Sequence, residues 1–104
     1  MQIFQLSRRF PPEERYALTD QIRRSSRSVA TNITEAYRKR RYPALFINKL
    51  TEADAEGSET QVWLDFAKDC EYLREETRSQ LVAGYEEAGR MLGEMIQHPE
   101  RFAP

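Results

Sequence analysis

The sequence has very little cysteine or histidine: one of each in 104 residues, Cys70 and His98. A single cysteine excludes an intrachain disulfide and fits a reducing cytoplasm, where we expect this protein to reside. One histidine and one cysteine are too few for a zinc site of the usual kind, so we expect no metal. Cys70 lies on an apolar arc, which favours inert burial over nucleophilic use. His98 is expected to cap a helix or to have no role.

Long hydrophobic runs and catalytic motifs are also missing from the sequence. No apolar run approaches the ~20 residues that a helix needs to cross a bilayer, so we expect no membrane association. The N-terminal residues lack the hydrophobic core and the cleavage site of a signal peptide. Neither a glycine-rich phosphate loop nor a triad pattern is present. We therefore expect no catalytic residues, no cofactor and no enzymatic activity.

Glycine and proline are sparse, with four and five residues, whereas 32% of the chain is charged and 39% is hydrophobic. This balance is typical of a soluble helical protein. The length suffices for one domain with one core, which we assign to residues 1–104. The net charge of −1 means that the molecule as a whole does not attract nucleic acid.

Proline positions and apolar spacing divide the chain into four helices, and strand-like alternation is absent from the sequence. Connections are short, which predicts an all-α, up-down-up-down four-helix bundle with a short first helix. Prolines in the linkers suit helix starts, because the first helical position needs no N–H donor. The predicted helices run from Met1 to Arg9, from about Pro12 to Arg40, from about Ala44 to Glu75 and from Thr77 to about Gln97.

Three of these helices carry an apolar stripe at spacings of three, four and seven residues, the pattern of a buried face. Gly57 lies within such a stripe and keeps its phase, so it is expected to permit close packing rather than to break the helix. Asn32 borders a stripe, and a buried register-setting role and a ligand contact both remain open. The stripes are Leu18, Ile22, Ser25, Val29, Ile33 and Ala36; Phe46, Leu50, Ala53, Gly57, Thr60, Leu64 and Ala67; and Leu81, Tyr85, Ala88, Leu92 and Met95.

Charge is segregated along the chain. Residues 21–41 hold seven basic side chains and one acid, a local charge of +6, whereas residues 52–76 hold nine acids and two basic side chains, a local −7. The basic side chains of the second helix lie largely on an arc away from the apolar stripe. They form a candidate nucleic-acid-binding face, which comprises Arg23, Arg24, Arg27, Arg38, Lys39 and Arg41.

Two alternatives to nucleic-acid binding remain open for this face. The basic residues at the end of the helix also suit the negative end of the helix dipole. The whole face could instead meet the acidic third helix of a neighbouring subunit, which would make the chain a purely protein–protein interaction module or assembly factor.

The third helix has a second apolar arc in its C-terminal half, so that apolar residues span more than half of its circumference. One flanking layer would bury a narrower stripe. Aromatic side chains on such an arc are common anchors of subunit contacts, and ordinary core packing is the alternative. The candidate oligomer interface consists of Val62, Trp63, Phe66 and Leu73, and we expect a homo-oligomer.

Two stretches resemble a known family. Residues 21–36, QIRRSSRSVATNITEA, are similar to the "QIRRAA-S-I-NIAEG" signature of the 23S rRNA-intervening-sequence proteins. Residues 46–50 and 52–73, with Gly57-Ser58-Glu59-Thr60 and Trp63-Leu64, resemble that family's third helix. The resemblance covers the chain from Phe10 onward. Ala36 stands where the family usually has glycine, and the first helix is shorter than in most members.

The resemblance implies a four-helix bundle from a bacterial family in which several members assemble as homopentamers. A related branch, the accessory proteins of diversity-generating retroelements, resembles a basic pentamer that binds nucleic acid and a reverse transcriptase. Most members have no established activity, and the resemblance supplies no catalytic residues. It therefore implies a homo-oligomer, a pentamer by analogy, with nucleic acid or a protein as partner.

Overall fold

The computed structural model describes residues 2–104, and it contains four α-helices in up-down-up-down order with a short first helix. Within these residues there is no strand, so the predicted all-α fold is confirmed. Met1, which the prediction included in the first helix, lies outside the described residues. The helices are α1, Gln2–Ser7; α2, Leu18–Arg38; α3, Pro43–Asp69; and α4, Glu75–Gln97, with 3₁₀ turns at Pro12–Glu14 and Pro99–Phe102.

Helix α2 begins six residues later than predicted. Pro12 opens only a 3₁₀ turn, and Ala17, with φ −121° and ψ −102°, interrupts the helical backbone before Leu18. This change of direction lets Phe10 and Leu18 enter the same apolar cluster, where both are buried. The Tyr72 hydroxyl donates to Glu14 Oε2 at 3.0 Å and ties the turn to the connection between α3 and α4.

Helix α3 ends at Asp69, six residues before the predicted end. Glu71 adopts φ 65°, the left-handed conformation that commonly terminates helices. The Tyr72 N–H donates to the Ala67 carbonyl and the Glu71 N–H to the Lys68 carbonyl, both at 2.9 Å. These two bonds are the Schellman pattern, which satisfies the last carbonyls of the helix. A glutamate in place of the usual glycine hid this end from sequence reasoning.

The core follows the predicted stripes closely. All seven residues of the α3 stripe are buried, and in α2 only Ile33 of the predicted six is exposed. The α4 stripe is shallower, since only Leu92 of its five residues is fully buried. Burial of the α2 and α3 faces supplies most of the driving force, at about 25 cal/mol per Å² of apolar surface. Helix α3 is therefore the centre of the bundle.

A buried polar pair links α2 to α3 in the middle of this core. The Ser25 and Thr60 hydroxyl oxygens are 2.8 Å apart, and both side chains are inaccessible to solvent. Thr60 Oγ1 also lies 2.8 Å from the Glu56 carbonyl, and Ser25 Oγ lies 3.4 Å from the Ile22 carbonyl. Asn32, in contrast, makes only local bonds to Ser28.

Gly57 is buried where α2, α3 and α4 come together. A Cβ atom at this position would lie 3.7 Å from Tyr85 Cδ1 and 4.0 Å from Val29 Cγ2, which are ordinary van der Waals distances. The helix continues through Gly57 as predicted. Its neighbours nevertheless leave room for a methyl group, so the packing is less close than the glycine suggested.

The helices form two layers, with α3 packed between α2 and α4. Across the part of the chain that the structure describes, α2 and α4 make no close backbone contact with each other. The molecule is thin, with extents of 45 × 24 × 18 Å. Helix α1 packs on α2 near Arg23 and Arg27, and the chain end brings Phe102 against Phe46. The fourth side of the bundle is thus filled only in part.

Candidate nucleic-acid interface

The outer face of α2 carries the predicted basic residues, but the structure gives them different environments. Arg27, Arg38 and Arg41 are exposed, whereas Arg23 and Lys39 are half-buried. Among residues 2–104, no carboxylate lies within ion-pairing distance of Arg27, Arg38 or Arg41. Because a 21-residue helix is about 32 Å long, these side chains line one side of the molecule for most of its length.

Arg23 is partly committed to packing against α1. Its guanidinium lies 4.5 Å from the centre of the Phe4 ring, and its Nε donates to Ser7 Oγ at 2.8 Å. Arg27 approaches the same ring at 5.5 Å. A guanidinium on an aromatic face gains about 0.5–1 kcal/mol at an exposed site. Arg23 therefore fixes α1 against α2, and Arg27 keeps an exposed cationic end.

Arg24 is taken up by α3. Its Nη1 atom lies 3.0 Å from Glu56 Oε2, and Nη2 contacts Glu59 Oε2. The Arg24 side chain is 46% exposed, so the two ion pairs are solvent-screened and contribute little stability. They nevertheless neutralise the charge of Arg24. Of the six predicted residues, Arg24 is the one that the fold separates most clearly from the open basic face.

Sequence reasoning missed two arginines that join this face. Arg8 and Arg15 line an open groove of about 400 Å³ together with Arg23, Phe4 and Thr19. The groove forms because α1 folds back along α2 after the prolines. The turn signal at Pro11-Pro12 was visible in the sequence, and an antiparallel α1–α2 pair could have been used to place Arg8 near Arg23. The basic surface therefore extends beyond α2 to the α1 end of the molecule.

The acids of α3 are largely paired within the chain. Lys49 bridges Glu35 of α2, at 2.9 Å, and Glu52 of α3, at 3.2 Å, and its hydrogen bond to Glu35 is the main cause of its raised pKa. On the opposite flank, Arg78 of α4 pairs with Asp65 at 3.1 Å. The negative charge of residues 52–76 is thus distributed over both flanks of α3 and partly neutralised there.

Arg78 also organises the start of α4. It binds the Glu75 carboxylate at 2.5 Å, and Ser79 donates to the same carboxylate at 2.9 Å. These hydrogen bonds, that of Arg78 first, lower the pKa of Glu75 to about 2. A carboxylate in the first turn of a helix also faces the positive end of the helix dipole. The site is structural, because it ties α4 to α3.

The candidate interface residues separate into two pairs. Val62 and Phe66 project from α3 and are 48% and 53% exposed. Trp63 and Leu73 are half-buried and pack against the core cluster that contains Leu64. The rings of Trp63 and Phe66 are 5.8 Å apart, so the inner and outer pairs form one continuous apolar surface. Core packing and surface exposure both occur within the predicted set.

The residue types that often carry chemistry are dispersed. Cys70 was expected to be buried, but it is exposed, because α3 ends at Asp69 and the chain turns away from the core there. His98 Nδ1 lies 3.5 Å from Glu100 Oε1 near the chain end. Within residues 2–104, no group of three His, Cys, Asp or Glu side chains could hold a metal ion. No helix of the described chain is long and apolar enough to cross a bilayer.

Comparison with known proteins places this arrangement. The model of the 23S rRNA-intervening sequence protein family matches residues 1–94. A crystal structure of a protein of unknown function from the S23 ribosomal protein family of Bacteroides thetaiotaomicron VPI-5482 is 31% identical. It superimposes with a TM-score of 0.81 over 91% of this chain and 88% of the other. No curated protein matches the chain. The chain belongs to the 23S rRNA-intervening sequence protein family.

Proposed function

We propose that this protein is a non-enzymatic, self-associating scaffold of the bacterial cytoplasm that binds nucleic acid through the outer face of α2. The observation that carries the proposal is the row of exposed arginines, Arg27, Arg38 and Arg41, with no carboxylate in ion-pairing range among the described residues. Arginine suits this role because its planar guanidinium donates two parallel hydrogen bonds to a phosphate.

The mode of binding follows from the chemistry of the face. Its side chains are arginines with the small or hydroxyl residues Ala30, Thr31 and Thr34 between them. Phosphate contacts position a protein on nucleic acid but carry no sequence information. We therefore expect binding that depends strongly on salt and weakly on sequence. For each phosphate neutralised, the log–log salt slope is about −0.9 on duplex DNA and about −0.7 on single strands.

Self-association would raise the affinity of such a face. One subunit presents only a few unpaired arginines, whereas an oligomer presents several copies of the same row. Linked sites bind cooperatively when their geometry allows simultaneous contact. The exposed Val62 and Phe66 support self-association, since large apolar side chains at the centre of a contact supply much of its energy. A homopentamer is the assembly that the family resemblance suggests.

The test is a fluorescence-anisotropy titration with single- and double-stranded DNA and RNA at low and moderate salt. An Arg27→Glu/Arg38→Glu variant should lose most of its affinity, because it reverses two unpaired cations. The matched control, Arg74→Glu/Arg90→Glu, makes the same charge change on the far side of the molecule and should bind almost normally. If the wild type does not bind at low salt, or if both variants bind equally, this face is not a nucleic-acid site.

A purely protein–protein module is the second candidate. The way in which Arg24 binds Glu56 and Glu59 shows that the edge of α2 is complementary to an acidic helix. An acidic segment of a partner could occupy the remaining arginines in the same way. Under this alternative, nucleic acid would not bind, and high salt would dissociate the oligomer or the partner complex.

A further inference from the structure

An open groove lies between α2 and α4 at the end of the bundle that α1 does not reach. Its walls are Ile33 and Tyr37 of α2 and Met95 of α4, its floor is formed by Phe46 and Leu50, and its volume is about 300 Å³. Ile33 is 37% and Tyr37 62% exposed. One helical turn before Met95, Met91 extends this apolar wall and is 60% exposed.

The groove exists because the fourth side of the bundle is only partly occupied. Helix α1 covers α2 beside Arg23 and Arg27, and at the other end only Phe102 reaches the core, against Phe46. Between them, the α2 and α4 backbones do not approach each other. The vacant stretch is bordered by helices on both sides and has an apolar floor. These are the properties of a site that accepts a helix.

The opposite side of the molecule presents a helical surface of matching character. The residues of α3 that point away from the core are exposed and uncharged over most of the helix length. A face turned to solvent would ordinarily carry charges, but the acids of α3 lie on its flanks. We call this outer face the α3 ridge; it consists of Ala44, Asn48, Thr51, Ala55, Ser58, Val62 and Phe66.

Charge around the two surfaces is complementary. Arg40 and Arg101 border the groove, with the Arg40 guanidinium 3.8 Å from the centre of the Tyr37 ring. Carboxylates border the apolar end of the ridge: Asp65 is one residue before Phe66, and Asp69 lies one turn further on. A ridge that approaches the groove therefore brings acids toward arginines. Two ridges that approached each other would bring like charges together, which is unfavourable.

We propose that the α3 ridge of one copy docks into the open groove of a second copy, with Val62 and Phe66 against Ile33, Tyr37 and Met91. The proposal rests on the self-association proposed above and names the two surfaces that would meet. Because the ridge and the groove lie on opposite sides, the contact is heterologous, and each copy keeps one free surface of each kind. Repetition of such a contact builds a ring or an open chain.

Complementation between two variants tests this contact. The ridge variant, Val62→Glu/Phe66→Glu, keeps an intact groove, and the groove variant, Tyr37→Glu/Met91→Glu, keeps an intact ridge. Each should be monomeric by light scattering at a concentration where the wild type is oligomeric. An equimolar mixture should form a dimer, because one good ridge can still meet one good groove. Tyr16→Glu, an equally exposed position off both surfaces, is the control and should keep the wild-type mass.

Each result either supports or overturns the proposal. A groove variant with wild-type mass overturns it, and so does a mixture that stays monomeric, since a ridge-to-ridge contact cannot be rescued by mixing. Circular dichroism checks that the variants fold. If a glutamate variant does not, the corresponding alanine variants must show the same loss and rescue. A monomeric wild type would instead remove self-association itself, which separates that failure from the failure of this contact.

Discussion

The buried Ser25–Thr60 pair gives the sharpest prediction about this fold. Both hydroxyls are inaccessible to solvent and lie 2.8 Å apart, but their other contacts differ. Thr60 has a second acceptor, the Glu56 carbonyl, at 2.8 Å, whereas the nearest other acceptor for Ser25, the Ile22 carbonyl, is 3.4 Å away. Each hydroxyl has one proton to donate, so removal of either partner leaves the other in a different position.

The magnitude follows from this asymmetry. Thr60→Val keeps the shape of the side chain but leaves Ser25 with only its long bond to Ile22, so we expect a loss of about 1–2 kcal/mol of unfolding free energy. Ser25→Ala leaves Thr60 its short bond to Glu56, so the loss should be about 0.5–1 kcal/mol. The double variant removes both hydroxyls and leaves no unpaired group. It should therefore be more stable than the sum of the single losses by about 1 kcal/mol.

Urea unfolding followed by circular dichroism measures these differences, at one fixed protein concentration because oligomerisation also changes apparent stability. The slope with denaturant should be the same in all four proteins, so that the midpoints report stability alone. Losses that add to within about 0.3 kcal/mol would refute the reasoning, because they would show that the two hydroxyls do not interact. A Thr60→Val variant as stable as the wild type would refute it as well.

Four further substitutions have definite expected outcomes in unfolding experiments. Gly57→Ala should stabilise by about 0.5–1 kcal/mol, since a methyl group fits there and alanine favours the helix; a loss would show that the neighbours cannot accept it. Glu71→Gly should stabilise by about 0.5–1 kcal/mol, because its left-handed backbone suits glycine, and an unchanged midpoint would contradict this. Trp63→Ala should cost about 3–5 kcal/mol if its core contacts dominate, or lower the oligomer mass measured in parallel; neither change would be incompatible with its position. Bonded to Arg78, Glu75 has a folded-state pKa of about 2, below its ordinary 4.5, so its stabilisation is present above about pH 4.5 and lost as the pH falls toward 2; Glu75→Gln should weaken that acid dependence, and an unchanged acid limb would count against it.

Burial in this fold was largely readable from the sequence. The α3 stripe was predicted without error, because a helix enclosed on two sides buries residues at spacings of three and four whatever their chemistry. That rule identified Gly57 and Thr60 as core positions even though neither is strongly apolar. Ile33 is the exception in α2, and the reason is tertiary: it lies beside the vacant fourth side of the bundle.

Helix ends were less predictable, because they depend on single backbone conformations. Glu71 ends α3 in a left-handed conformation that no sequence rule assigns to glutamate. The consequence reaches a candidate residue. With the helix ending at Asp69, Cys70 turns outward instead of continuing the apolar arc, so the expectation of a buried thiol was wrong.

The candidate site shows most clearly where sequence reasoning stops. Arg24 and Arg27 are identical side chains three residues apart, and both were assigned to one basic face. The fold pairs Arg24 with Glu56 and Glu59, whereas Arg27 lies over Phe4 and has no carboxylate in range within residues 2–104. A count of charges in a window gives the sign of a segment but not which charges cancel across the helices.

The same cancellation changes the electrostatic argument about a polyanion. On the sequence, the acids of α3 oppose the approach of nucleic acid to α2, since residues 52–76 have a local charge of −7. In the fold, Glu52, Glu56, Glu59 and Asp65 each lie within ion-pairing distance of a cation on a flank of α3. Paired charges have a weaker field at a distance, and at physiological salt exposed charges are screened beyond about 8 Å. The field near the outer face of α2 is therefore set mainly by its own unpaired arginines, and charge reversal at Arg27 and Arg38 is the perturbation to which binding should be most sensitive.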